Sequence, residues 1–110
     1  MVKSITEEIL GSGAHIKILD YLLDCKDIDC AVSDLAEGSN ISRQYAYKIV
    51  EKLMKFGVVE KSRIVGRTQL YKIAKDNSIA RKLLEFNNEI LKYQVKRFEE
   101  KHNQNGRGRK

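Results

Sequence analysis

The stretch SDLAEGSNISRQYAYKIVEKLMKF, residues Ser33–Phe56, reads as two helices joined by a short turn. Ser33 is a candidate N-cap, with Glu37 one position beyond the place a capping box would use. Leu35 and Ala36 are the buried positions of the short first helix. Gly38-Ser39-Asn40 supplies the turn, and Gly38 suits a left-handed helix stop. Ser42 is a second N-cap candidate, after which Ala46, Ile49, Val50 and Leu53 recur at the spacing of a core face. That spacing turns Arg43, Gln44, Tyr45, Tyr47 and Lys48 to the other side, and Gly57 ends the helix.

Downstream, 58–65 and Thr68–Ile73 read as two strands joined at Gly66-Arg67, where glycine supplies a positive φ for a tight hairpin. Neither parity of 58–65 is cleanly apolar, so the register is open. Upstream, Gly11-Ser12-Gly13 separates an N-terminal arm from a helix over about 13–24 with Ile16, Ile18, Leu19, Leu22 and Leu23 on its apolar side. Residues 28–32 form a candidate short strand. From Ser78 to about His102, Ile79, Leu83, Phe86, Ile90 and Tyr93 alternate spacings of four and three, the stripe of a coiled coil, and Leu84, Leu91 and Phe98 widen it. Residues 103–110 read as a flexible basic tail.

The 110 residues suffice for one modest core, and 42% hydrophobic with 33% charged residues fits a folded domain. No apolar run approaches the ~18–20 residues of a membrane span, and the N-terminus has no secretory pattern, so a cytoplasmic location is expected. The net charge of +6 is unevenly spread. Residues 1–41 carry −5, 42–75 carry +7 and 76–110 carry +4. One cationic face and a polyanionic partner are implied, against the plainer alternative of a lysine-rich solvated surface.

Cys25 and Cys30 match no familiar zinc spacing. They read as a helix-end and a strand cysteine packed as small hydrophobes, a metal or redox pair being the alternative. His15 and His102 lack nearby acid–base or metal partners in sequence, and Gly11-Ser12-Gly13 lacks the lysine of a phosphate loop. No enzyme, cofactor or metal site is expected.

Arginine can donate two hydrogen bonds to guanine and glutamine can pair with adenine, so Arg43 and Gln44 suit base edges. Ser42, at the positive end of its helix, suits a phosphate, and Lys48, Lys52 and Lys55 continue a basic edge. Tyr45 and Tyr47 fit the same surface or partial burial against the first full helix.

These segments together resemble a known family. Residues 9–23, Val32–Lys48, Val50–Val59 and Leu70–Ile73 are similar, in order and spacing, to the winged helix-turn-helix of ArsR-like regulators, whose core MarR-like regulators share. The long last helix resembles the dimerisation helix of small archaeal winged-helix proteins. The resemblance implies a mainly α fold with a small β-hairpin wing. It divides the chain into a DNA-binding domain with an arm (1–76), a dimerisation helix (77–102) and the tail (103–110).

It also implies a dimeric, sequence-specific regulator of double-stranded DNA. Ser42, Arg43, Gln44, Tyr45, Tyr47, Lys48, Lys52, Arg63 and Arg67 would meet DNA. Ile79, Leu83, Phe86, Ile90, Leu91, Tyr93 and Phe98 would form the dimer seam. The recognition helix lacks the cysteines of ArsR-like metal sensors, so metal sensing is not carried over. A chromatin-type DNA organiser and a protein–protein winged helix are the alternatives; Arg43, Gln44 and Tyr47 favour base readout, while the tail favours the organiser.

Overall fold

The computed structural model describes residues 5–11, 13–25 and 27–107, with side chains through Glu100. The helices are α1 (Ile5–Leu10), α2 (Ala14–Cys25), α3 (Val32–Ser39), α4 (Arg43–Lys55) and α5 (Ser78–Arg107). Strand β1 (Cys30–Ala31) lies between α2 and α3, and β2 (Val59–Val65) and β3 (Thr68–Ile73) follow α4. The strands form one antiparallel sheet in the order β1-β3-β2.

The core forms where the apolar faces of three helices meet the root of the sheet. Ile18, Leu22 and Leu23 of α2, Leu35 and Ala36 of α3, and Ala46, Ile49 and Val50 of α4 are buried together with Val58, Val59, Tyr71 and Ile73. Each large aliphatic side chain removed from water contributes about 1.5–3 kcal/mol. These are the positions the 3–4 spacing selects.

Helices α3 and α4 end in the same way. Asn40 adopts φ 57°, its N–H donates to Glu37 O, and the Ile41 N–H donates to Ala36 O at 3.0 Å. Gly57 adopts φ 76°, its N–H donates to Met54 O, and the Val58 N–H donates to Leu53 O at 3.0 Å. Both are Schellman caps, which satisfy the orphan carbonyls of the last turn.

Asn40, not Gly38, is therefore the left-handed stop of α3. Gly38 is helical, and a Cβ there would lie 2.4 Å from the Tyr21 ring, so its small size admits that ring. Nor is Ser33 the N-cap. The N-cap is Ala31, two residues earlier, and the Asp34 carboxylate accepts the Ala31 N–H at 3.2 Å.

The expected N-terminal arm is the helix α1, with Thr6 buried and with packing against both α2 and α5. The expected five-residue strand shrinks to Cys30–Ala31, paired with Tyr71 and Leu70. Helix α5 passes the expected end at His102 and runs to Arg107, no proline interrupting it, so the tail's first residues, 103–107, are helical; 108–110 lie outside the described residues.

Helix α5 divides near Ile90. Ala80, Asn87 and Ile90 are buried, Leu83 and Leu84 pack on the core, and Asn87 donates to the Leu23 carbonyl at 3.5 Å. Phe86 is half-buried. From Leu91 to Glu100 every residue is exposed, Leu91, Tyr93, Val95 and Phe98 among them. The molecule accordingly extends 59 Å in one direction against 29 and 27 Å in the others. Of the residues expected at a dimer seam, Ile79 faces solvent, Ile90 is buried within the protomer, and half-buried Phe86 lines, with Ile5 and Ile9 of α1, an open cavity of about 390 Å³.

Candidate nucleic-acid interface

Helix α4 presents its polar side because Ala46, Ile49 and Val50 anchor the other. The Ser42 Oγ accepts the Tyr45 N–H at 3.1 Å, and the Ser42 backbone is extended, at φ −68° and ψ 153°. Ser42 is thus a true N-cap. Its hydroxyl oxygen serves the first turn, while the positive end of the helix dipole stays open to an anion.

Arg43, Gln44 and Tyr47 face the wing across an open cleft of about 490 Å³. Arg67, Thr68, Gln69 and Tyr71 line its far side, and Ser33 at the start of α3 closes one end. Four residues expected at the interface are thereby brought together: Arg43, Gln44, Tyr47 and Arg67. Sequence reasoning missed Ser33, Thr68 and Gln69, although Thr68 and Gln69 directly follow the Gly66-Arg67 hairpin signal.

The two tyrosines are each about half-exposed, at 46% for Tyr45 and 48% for Tyr47. Both lean on a neighbouring element. Tyr45 meets His15 of α2 edge-on, with ring centroids 6.3 Å apart at 84°. Tyr47 stands beside Tyr71, whose phenol burial, and secondarily the Tyr47 hydroxyl, pushes above its ordinary pKa. These contacts hold the rings at the surface without sinking them into the core. Lys48 and Lys52 lie off the cleft, on a shallow surface further along α4 with Glu51, Met54 and Lys55.

The wing is positioned differently. Strand β2 carries one extra residue between Lys61, opposite Tyr71, and Ile64, opposite Gln69. This bulge reverses which face the side chains beyond it occupy. Beyond Val59 the strand has no buried residue at all.

Asp29, in the loop before β1, holds the bulge. Its carboxylate accepts from the Ser62 hydroxyl at 2.5 Å and from Arg63 Nε at 3.0 Å. The Gln69 amide donates to the Arg63 carbonyl from the other strand at 3.2 Å. Ser62, then Arg63, keeps the Asp29 carboxyl below the usual range. Arg63 was expected at DNA; the structure engages its guanidinium with Asp29 while leaving 69% of the side chain exposed.

A family model described as the sugar-specific transcriptional regulator TrmB matches residues 15–76. The chain belongs to the TrmB family. It is a winged helix-turn-helix transcriptional regulator, and its family is not one of enzymes. Solved structures agree on the fold.

One is the homodimeric winged helix-turn-helix DNA-binding domain of Mb0332 from Mycobacterium bovis, described as a possible ArsR-family regulator. It is 23% identical, with a TM-score of 0.56, over 84% of this chain and 80% of that one. A second is the MarR family regulator SPO1453 from Silicibacter pomeroyi, 19% identical, with a TM-score of 0.56, over 77% of this chain and 57% of that one. A third is AF1382 from Archaeoglobus fulgidus, 20% identical, with a TM-score of 0.58, over 76% of this chain and 94% of that one.

The chain spans about 60% of the length of several regulators it matches. No curated protein sequence matches it. The expected likeness to ArsR-like, MarR-like and archaeal winged helices is borne out, and the family model narrows it to TrmB-type regulators. Among the described residues no helix is long and apolar enough to cross a membrane.

Proposed function

We propose that this TrmB-family protein binds double-stranded DNA as a homodimer and discriminates between sequences. The observation that carries the reading is the cleft where Arg43, Gln44 and Tyr47 of α4 face Arg67 across open space. Arg43 and Gln44 have the donors and acceptors to read base edges in a major groove, and Arg67 at the hairpin tip has the charge for a flanking phosphate. Lys48 and Lys52 extend the positive surface along the same helix.

The dimer reading draws support from the homodimeric Mb0332 domain and from α5. Leu91, Val95 and Phe98 follow one another at spacings of four and three on one side of the exposed half of that helix, while Tyr93 lies on the side shared with Ile9 of α1. A second copy of the helix would remove that apolar surface from water. The seam centres on Leu91, Val95 and Phe98, with Leu83 and Ile90 supporting it from within each protomer, Tyr93 on the neighbouring α1 side and Ile79 outside it.

Selection of bound sequences from a random duplex library tests the first half of the proposal. Enrichment of one motif is expected, with affinity falling steeply as salt rises because bound counterions are released. Uniform recovery of all sequences would replace the regulator reading with that of a DNA organiser. Sedimentation of wild type beside Leu91→Glu/Phe98→Glu tests the second half. These exposed positions leave the fold intact, so the variant should run as a monomer. A dimeric variant would put the seam elsewhere.

A further inference from the structure

The fold brings the two cysteines sulfur to sulfur. Cys25 is the last residue of α2 and Cys30 the first of β1. The Cys30 thiol donates toward Cys25 Sγ at 3.3 Å, with Cys25 half-buried and Cys30 buried. Among the described residues no group of three or more His, Cys, Asp or Glu side chains gathers as a metal site would require.

The short segment between the cysteines carries both polar ties to the rest of the sheet. Asp27 pairs with Lys75, which follows β3, and Asp29 holds Ser62 and Arg63 of the β2 bulge. Strand β1 itself is bonded to Tyr71 and Leu70 of β3.

We propose that Cys25 and Cys30 are a modification site, closing to a reversible intramolecular disulfide when a hydroperoxide reacts with Cys25, and that the wing registers the change. Cys25 is the more accessible sulfur and attacks first. As its thiolate bonds to one peroxide oxygen, the O–O bond breaks, and the thiol's proton leaves on the other oxygen as water or an alcohol. Cys25 is now a sulfenic acid. The Cys30 sulfur then attacks the Cys25 sulfur, the S–O bond breaks, and the hydroxide leaves with the Cys30 proton as water. Two thiols have lost two electrons and two protons, and the peroxide has gained both.

Burial pushes the Cys30 thiol up to about 12, and the adjoining Cys25 sulfur adds to the rise, which fits Cys30 as the second, resolving thiol.

Bond formation draws the sulfurs from 3.3 Å to about 2 Å. Helix α2 is anchored in the core, and β1 is only two residues long, so the movement falls on the segment bearing Asp27 and Asp29. Loosening Asp29 from Ser62 and Arg63 releases the bulge and turns the wing from the cleft. The effect on DNA rests on the DNA-binding reading above, whereas the thiol chemistry does not.

The test treats reduced full-length protein with hydrogen peroxide. Peptide mass analysis should show the Cys25–Cys30 bridge, fully reversed by dithiothreitol. In Cys30→Ser, dimedone should trap a sulfenic acid at Cys25, and in Cys25→Ser nothing should be trapped. DNA affinity of wild type should fall roughly tenfold on oxidation, the scale of a single charge-assisted hydrogen bond, and return on reduction. Cys25→Ser should bind alike under both conditions. Thiols that stay alkylatable after peroxide, or bridges only between chains, would overturn the modification site. A bridge that forms with affinity unchanged would overturn its coupling to the wing. Absence of DNA binding in the reduced state as well would instead overturn the DNA-binding reading and leave the thiol result standing.

Discussion

Helix α4 and the wing flank the same cleft but are held there by different forces. Helix α4 rests on Ala46, Ile49 and Val50, all in the core, and is capped at both ends by local bonds. The wing buries only its root, at Val59, Tyr71 and Ile73, and its outer part depends on Asp29, Ser62, Arg63 and Gln69. Packing positions one side, and exposed polar bonds position the other. The reading surface should therefore respond to core substitutions, and the wing to charge, pH and salt.

The largest expected effect is on packing. Leu35→Ala removes a fully buried side chain beneath α4 and should cost about 2–5 kcal/mol in denaturant unfolding. Arg67→Ala at the wing tip should stay within about 0.5 kcal/mol of wild type in the same experiment. Equal losses would erase the contrast.

Base contacts come next. Arg43→Ala should lose roughly 1–3 kcal/mol of binding on a selected site and much less on random duplex, measured by fluorescence anisotropy. A loss of the same size on both would make Arg43 a phosphate contact.

Ser42 separates capping from contact. Because its Oγ accepts the Tyr45 N–H, Ser42→Ala should cost about 1 kcal/mol of stability, and Ser42→Asp should restore most of it. If Ser42→Asp fails to recover stability, the cap is not what the hydroxyl supplies.

The wing tip is expected to matter less, and evenly. Arg67→Ala should weaken all sequences alike and reduce the slope of log affinity against log salt by about 1. A sequence-dependent loss would give Arg67 a role in readout.

The smallest effect is that of pH on the bulge. Ser62 and Arg63 lower the Asp29 carboxyl from its ordinary value, so the interaction is fully formed above the ordinary aspartate range. It breaks only as pH falls through the lowered native value. Amide exchange at Ser62 and Arg63, corrected for intrinsic rates, should stay protected from neutrality through the ordinary aspartate range and loosen below it, with no such step in Asp29→Asn. Loosening nearer neutrality would assign the control to another group.

What the sequence by itself determined is whatever depends on near neighbours along the chain. Ser42 as cap, the 3–4 spacing of α4, Gly57 as stop and Gly66 at the hairpin each follow from residues within a few positions of one another, and the structure keeps all four. The polar side of α4 followed from the same periodicity.

What only the tertiary structure decided depends on partners distant in sequence. Asp29 meets Ser62 and Arg63 more than thirty positions away, and the bulge they share has no signature in β2 alone. Gly38 looked like a stop because glycine is often one, yet the Tyr21 ring sets its requirement, and Asn40 takes the left-handed turn. Phe86 and Ile90 read as part of one apolar stripe, and the fold sets Ile5 and Ile9 of α1 beside them, with Ile90 buried in the protomer and Phe86 half-buried. Periodicity says which side of a helix is apolar; what covers that side is set by long-range packing, which a one-dimensional pattern does not encode.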